Sequence, residues 1–177
     1  MGKDKNENYE LKCVNACYKK VEEPVECQNA DIEVGYSSTL GEKSVECSKS
    51  FSALNHESST FNIGKIKCSK GCKIQTDHSS TTIIGSLECE GDCEINAGYS
   101  STLKIDNSFI CKGKCTIIAD YASTIVIEGA NIAGHADIKS LTHFLGGCTV
   151  LINGKVDDRT CERGWSSTLK INGKPCP

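Results

Sequence analysis

Tyr36-Ser37-Ser38-Thr39-Leu40 returns along the chain as Glu57-Ser58-Ser59-Thr60-Phe61, His78-Ser79-Ser80-Thr81-Thr82, Tyr99-Ser100-Ser101-Thr102-Leu103, Tyr121-Ala122-Ser123-Thr124-Ile125 and Trp165-Ser166-Ser167-Thr168-Leu169. The threonines step by 21, 21, 21, 22 and 44 residues. The long step divides, because residues 147–155 echo residues 167–174 and supply a threonine at position 149. A period in the twenties marks a solenoid, whose units cannot bury their apolar faces alone and must stack to make a core.

Working outward from the phrase, each repeat holds three short segments of period two, as strands require. In the first, apolar side chains alternate at Phe61 and Ile63, Leu103 and Ile105, Ile125 and Ile127, and Leu169 and Ile171. With those inward, Ser59, Ser80, Ser101, Ser123 and Ser167 also point in, and the first serine and the threonine point out. The second segment carries Val45 and Cys47, Ile66 and Cys68, Leu87 and Cys89, and Phe109 and Cys111. The third carries Cys72 and Ile74, Cys93 and Ile95, and Cys115 and Ile117. No window shows the 3.6-residue period of a long amphipathic helix. The pattern predicts an all-β chain, a triangular parallel β-helix (β-solenoid) of about seven coils of roughly 21 residues, three short strands per coil. Residues 25–177 form the solenoid on this reading, and residues 1–24 a lysine-rich tail and cap, with residues 1–9 disordered for want of apolar anchors. Residues 172–177 are the second cap, because an open stack exposes strand edges at both ends. The last coils stray in length, so an irregular C-terminal end is expected.

The chain has 177 residues and a formal net charge of −3, which argues against an electrostatic grip on nucleic acid or an anionic membrane. No apolar run approaches the ~18 residues of a membrane span. The first eight residues lack an apolar signal core, which leaves an intracellular chain or one whose leader has been removed. The 13 cysteines favour the second, a secreted or cell-surface protein in an oxidising compartment.

Cys68/Cys72, Cys89/Cys93 and Cys111/Cys115 recur with three residues between them, each around a turn, and are expected to form disulfides across one corner. Cys27 and Cys47, one coil apart in a column, are expected to bond between coils. Cys161 and Cys176 would clasp the last turn, and Cys13 with Cys17 would complete six bonds, leaving Cys148 odd in the serine column. Buried reduced thiols and a structural zinc site are the alternatives at this spacing. The regular period favours columns in a wall, with no metal and no cofactor.

Outward, the first strand presents a ladder of Ser37 and Thr39, Ser58 and Thr60, Ser79 and Thr81, Ser100 and Thr102, Ala122 and Thr124, and Ser166 and Thr168. Hydroxyls would repeat at ~6.7 Å along each strand and ~4.8 Å between coils. Such an array resembles the Thr-x-Thr faces of insect antifreeze solenoids, from which it departs by having serine in one column and Lys104 and Lys170 in the outward row. Serine and threonine are also simply compatible with exposed stacking positions. Beside the ladder stand Tyr36, His78, Tyr99, Tyr121 and Trp165, each after Gly or Asp at a tight corner. These rings either stack on one another or present an aromatic strip to sugars.

The phrases at residues 35–40, 58–64, 79–85 and 98–105 resemble the repeat of the bacterial head GIN family, autotransporter-type adhesins built as parallel β-helices. The resemblance spans residues 25–175, while the stacked cysteines are more similar to disulfide-braced solenoids. It implies a non-enzymatic, secreted or surface repeat protein, and no catalytic residue carries over. Lyases and hydrolases on this fold need clustered carboxylates or a calcium site. Here Asp31, Asp77, Asp106, Asp120 and Asp137 scatter over several corners, Asp157-Asp158-Arg159 reads as a solvated turn, and the four histidines form no metal spacing. The expectation is therefore an adhesin-like binding or structural module contacting a glycan or surface ligand through Thr60, Thr81, Thr102 and Thr124 with Tyr99 and Tyr121. Ice is the alternative ligand, and end-to-end self-association through open strand edges is the third reading.

Overall fold

Period-two sequence makes strands, and a strand that has turned through one repeat can satisfy its backbone only on the next copy of itself. That is what the computed structural model, which describes residues 8–143 and 146–176, contains. Thr60 N–H donates to Ser38 C=O at 2.9 Å, Thr81 to Ser59 at 2.9 Å, Thr102 to Ser80 at 2.9 Å and Thr124 to Ser101 at 2.9 Å. The chain winds into two parallel sheets, one of eight and one of ten strands, in a solenoid of about eight turns. Strands Asn29–Val34, Ser50–Asn55, Gly71–Thr76, Asp92–Ala97, Cys115–Ala119 and Ala136–Ser140 follow one another in the first sheet. Strands Thr39–Cys47, Thr60–Cys68, Thr81–Cys89, Thr102–Cys111, Thr124–Ile132 and Thr149–Val156 do so in the second. Like residues stack in files, among them Phe61 on Thr82 on Leu103 on Ile125 on Val150. The core is the stack of these files and runs the length of the solenoid.

The three expected segments per coil appear as two strands, because the first and second fuse across a bend. In Thr60–Cys68 inward residues alternate until Gly64 and Lys65, two consecutive outward positions that reverse the phase. Ladder pairing continues through the bend, so the wall turns without breaking. Backbone approaches so closely there that a Cβ on Gly85 would lie 2.3 Å from Gly64 O. The 22-residue step is absorbed in Thr102–Cys111, where the register shifts between Ile105 and Ser108, a bulge carrying the extra residue. The expected irregularity near the C terminus lies where Thr142–His143 pairs antiparallel with Gly146–Gly147, after which Thr149 returns to the threonine file.

Residues 8–24 differ from the tail expected of them. Asn8–Cys13 pairs in parallel with Asn29–Val34, and Tyr18–Val21 with Thr39–Cys47, so the stack begins one coil earlier than residue 25. Asn8 and Tyr9 lie in a strand rather than in a disordered stretch; the rest of that expectation, residues 1–7, lies outside the described residues. Leu11 and Cys13 alternate inward as in later coils, whereas Tyr18, Lys19 and Lys20 are exposed edge residues without a buried face. Pro24, which has no N–H to offer, stands between Tyr18–Val21 and Val25–Cys27. At the other end Lys174–Pro175 folds back antiparallel on Thr168–Ile171 and covers that edge of the ten-stranded sheet.

The corners hold the principal departure from a simple strand reading. Tyr99 and Ser100 have φ of 44° and 61°, and Tyr36–Ser37, Glu57–Ser58, His78–Ser79 and Tyr121–Ala122 repeat the left-handed pair. Ser101 N–H closes the turn on Gly98 C=O at 3.1 Å, the geometry of a type I′ turn. The first serine of each phrase is thus a corner residue and not part of the strand. The second serine is buried, and its hydroxyl satisfies a carbonyl of the preceding coil, as in Ser101 Oγ to Thr76 O at 2.8 Å and Ser123 Oγ to Ala97 O at 2.7 Å. Adjacent serines should therefore respond oppositely to substitution. Ser100→Gly relieves a left-handed L-residue and should stabilise the fold by about 1 kcal/mol. Ser101→Ala removes a buried hydrogen bond and leaves the Thr76 carbonyl only the Gly98 N–H at 3.0 Å, so it should destabilise the fold by about 0.5–1.5 kcal/mol. Chemical denaturation of the two variants checks the signs, and equal effects would contradict the corner geometry.

Candidate functional site

The sequence-predicted face divides into a threonine file that is real and a serine file that lies elsewhere. Thr39, Thr60, Thr81, Thr102, Thr124, Thr149 and Thr168 are paired rung to rung, each half-buried at the head of its strand. Ser37, Ser58, Ser79 and Ser100 are exposed on the left-handed corners, so they and the threonines do not share the flat two-column array expected of them. The outward column beyond the threonines is mixed: Gly41, Asn62, Ile83, Lys104, Val126, Leu151 and Lys170.

Left-handed corners at 36–37, 57–58, 78–79, 99–100 and 121–122 place the residue before the first serine outward, while Trp165–Ser166 turns without a left-handed pair, and three successive rings stack. His78 lies on Tyr99 with centroids 4.7 Å apart and planes 9° from parallel, and Tyr99 on Tyr121 at 4.2 Å and 6°. The Tyr99 phenol is pushed above its ordinary range by its hydrogen bond with Tyr121. Asp77 Oδ1 accepts the His78 N–H at 2.9 Å and Asp120 Oδ1 the Tyr121 N–H at 2.8 Å, which explains aspartate before the ring at these corners. The row stops on either side. Glu57 takes the ring position below His78, and Tyr36 instead meets His56 edge-on at 5.3 Å. Trp165 is 91% exposed and stands outside the stack. Because Tyr99 is covered on both faces, what it offers to solvent is its edge and hydroxyl. Beside the stack a groove of about 250 Å³ runs past Gln75, Asp77, Asn96, Gly98 and Asp120. It brings together Asp77 and Asp120, which sequence spacing alone had scattered.

The cysteines follow the expected files but only in part the expected bonds. Cys13–Cys17 and Cys161–Cys176 are disulfides, with α-carbons 5.3 and 6.2 Å apart. Cys27, Cys47, Cys68, Cys72, Cys89, Cys93, Cys111 and Cys115 are buried thiols, contrary to the expected bonds, and Cys148, expected to be odd in the serine column, is a buried thiol too. Cys27, Cys47, Cys68, Cys89 and Cys111 form one continuous file and Cys72, Cys93 and Cys115 a second across the corner. Each sulfur thus has neighbours along its file as well as across the turn. Cys89 and Cys111 donate to corner carbonyls instead, Cys89 to Asp92 O at 3.3 Å and Cys111 to Gly113 O at 3.4 Å. Cys27 and Cys47 stand 3.3 Å apart, and burial pushes both thiols up. Among the described residues no group of three or more His, Cys, Asp and Glu is arranged to hold a metal ion.

Two clusters escaped the sequence reading. His135 Nδ1 lies 3.1 Å from Asp158 and its Nε2 lies 3.4 Å from Thr160 Oγ1, the connectivity of an acid, imidazole and hydroxyl. Thr160 already donates to Asp137 at 3.2 Å and the group is open to solvent, so it makes a surface network rather than an activated nucleophile. The second is Glu42, 4% exposed, in an inward file with Val21 before it and Ile63, Ile84, Ile105, Ile127, Ile152 and Ile171 after it. Its Oε2 accepts the Tyr9 hydroxyl at 3.1 Å while Oε1 has no hydrogen-bond partner. Burial pushes the Glu42 carboxyl up to about 7, against the opposing pull of Tyr9, the Lys43 amide and Lys19. Aligning the repeats exposes this residue as the one acid in an isoleucine file.

No known protein family, curated protein or solved structure matches the chain. The class it defines is the parallel β-solenoid, on the evidence of its own register.

Two measurements test this geometry. Without reductant the intact mass should fall about 4 Da below the reduced value, and denaturation should expose the nine thiols; a deficit of about 12 Da would show the three corner pairs and the Cys27/Cys47 pair oxidised as well. Glu42 is protonated more readily folded than unfolded, so its contribution is fully present below its ordinary value of 4.5 and is lost as pH rises through about 7. Wild-type stability should therefore fall relative to Glu42→Gln between pH 5 and pH 8, and parallel pH profiles would contradict the buried carboxyl.

Proposed function

We propose that this solenoid is a non-enzymatic secreted or cell-surface binding module that holds an extended glycan along the His78–Tyr99–Tyr121 corner. The observation that carries the reading is the coincidence of the stacked rings with the unbroken threonine file, both repeating at the ~4.8 Å interval of the coils. A rigid row of phenol and threonine hydroxyls suits a polymer with hydroxyls of its own. The groove past Gln75, Asp77 and Asn96 adds amide and carboxylate partners. Rings already stacked on each other lose little freedom on binding, which favours affinity. The two end disulfides agree with an oxidising compartment, and the resemblance of the repeat phrases to head GIN adhesins belongs with this reading.

Ice is the second reading, favoured by seven threonines in one file; the lysines and the corner serines weigh against a flat water-ordering face. A glycan array separates the two. Wild-type protein should bind extended polysaccharides, and Tyr99→Ala with Tyr121→Ala should weaken binding about tenfold or more. No binding above background, together with thermal hysteresis that Thr81→Tyr and Thr102→Tyr abolish, would transfer the function to ice.

A further inference from the structure

Tyr99 and Tyr121 are the only two tyrosines, among the described residues, that the fold stacks ring on ring. Their centroids lie 4.2 Å apart with the planes 6° from parallel. Backbone sets this pairing. Both residues are left-handed, with φ of 44° and 48°, on consecutive corners, and Ser100 N–H donates to Tyr121 C=O at 2.7 Å, which fixes one corner upon the other. The two side chains therefore leave the wall in the same direction, and their hydroxyls hydrogen-bond to each other. Parallel rings with their hydroxyls together also have the carbons beside those hydroxyls close to one another. The other three tyrosines lack such a partner. Tyr9 is half-buried with its hydroxyl on Glu42, Tyr18 is 79% exposed on the first edge strand, and Tyr36 meets His56 edge-on, separated from the stack by Glu57.

We propose that Tyr99 and Tyr121 form a site of oxidative modification, at which a haem peroxidase with hydrogen peroxide joins the two rings as dityrosine. Each phenol gives one electron and one proton to the oxidant, and the two phenoxyl radicals form a carbon–carbon bond between the ring carbons beside their oxygens. Those carbons then release their hydrogens as protons while the oxygens regain protons. Both rings end as phenols, the protein has lost two hydrogens, and one peroxide has become two waters. Fixed proximity is the argument for selectivity, because two radicals held side by side couple ahead of any partner that must arrive by diffusion. His78 covers the other face of Tyr99 at 4.7 Å, so Tyr121 is the neighbouring phenol. Access is the second argument: Tyr99 is 41% exposed at a corner, where electrons can leave through the ring edge and the rings have room to swing edge to edge. The new bond would tie consecutive coils in the middle of a solenoid whose two disulfides lie at its ends. The inference stands apart from the ligand of that corner.

The test treats the full chain in dilute solution with a haem peroxidase and hydrogen peroxide, isolates the monomer, reduces and alkylates its cysteines, and maps it with trypsin. Dityrosine fluorescence should appear in the monomer. Residues 74–104 and 115–139, which are separate tryptic peptides holding Tyr99 and Tyr121, should be recovered joined, about 2 Da below their summed mass. That pair should exceed any other tyrosine pair about tenfold. Tyr121→Phe, which keeps the ring and removes the phenol, should abolish the joined peptides, whereas Tyr36→Phe should leave them. A wild-type monomer without the joined peptides, Tyr99 joined mainly to Tyr18 or Tyr36, or joined peptides that survive Tyr121→Phe would each overturn the proposal.

Discussion

Hydrogen bonding from each coil to the next, in fixed register, is the constraint on which the rest of this protein depends. Thr81 N–H reaches Ser59 C=O and Thr102 N–H reaches Ser80 C=O, and through them the side chains of one coil meet their counterparts in the next. A local choice is thereby copied along the axis. An isoleucine on the inner wall becomes a file of isoleucines, and a left-handed corner becomes a file of strained corners. The same copying stacks His78, Tyr99 and Tyr121, and stacks the sulfurs on either side of the glycine corner.

Repetition also magnifies any exception. Glu42 in an isoleucine file and Cys148 in a serine file have neighbours chosen for another side chain. The first case leaves an oxygen unmatched; the second is harmless, because Cys148 N–H still donates to Ser167 Oγ at 3.0 Å. A function confined to particular rungs therefore shows itself as a break in a file. A feature of the whole surface shows itself as the file, as the threonines do.

Much of this was legible in the sequence, for a physical reason. Period-two alternation and a 21-residue repeat specify which residues face in and which residues stack, so the threonine file, the buried second serines and the division at Thr149 could all be read. Backbone handedness has no such signature: Tyr99 and Ser100 are ordinary residues in left-handed conformations more often taken by Asn-Gly, so the first serine read as strand. The first coil was obscured because Tyr18–Val21 is an edge strand with lysines where later coils bury side chains. Sulfur pairing was underdetermined because stacking places several cysteines within reach of each one. His135 and Thr160 met only through the fold, at a spacing that no motif marks.

Register is tested most directly by cross-strand nuclear Overhauser effects around Thr60, Thr81 and Thr102. Parallel in-register coils predict contacts from the Thr81 amide region to the Ser59–Thr60 segment on one side and from the Thr102 amide to Ser80–Thr81 on the other, with no close α-proton pairs between coils. Strong α-proton to α-proton contacts between these segments, or Thr60 contacting Thr102 without Thr81, would contradict the solenoid and everything argued from its files.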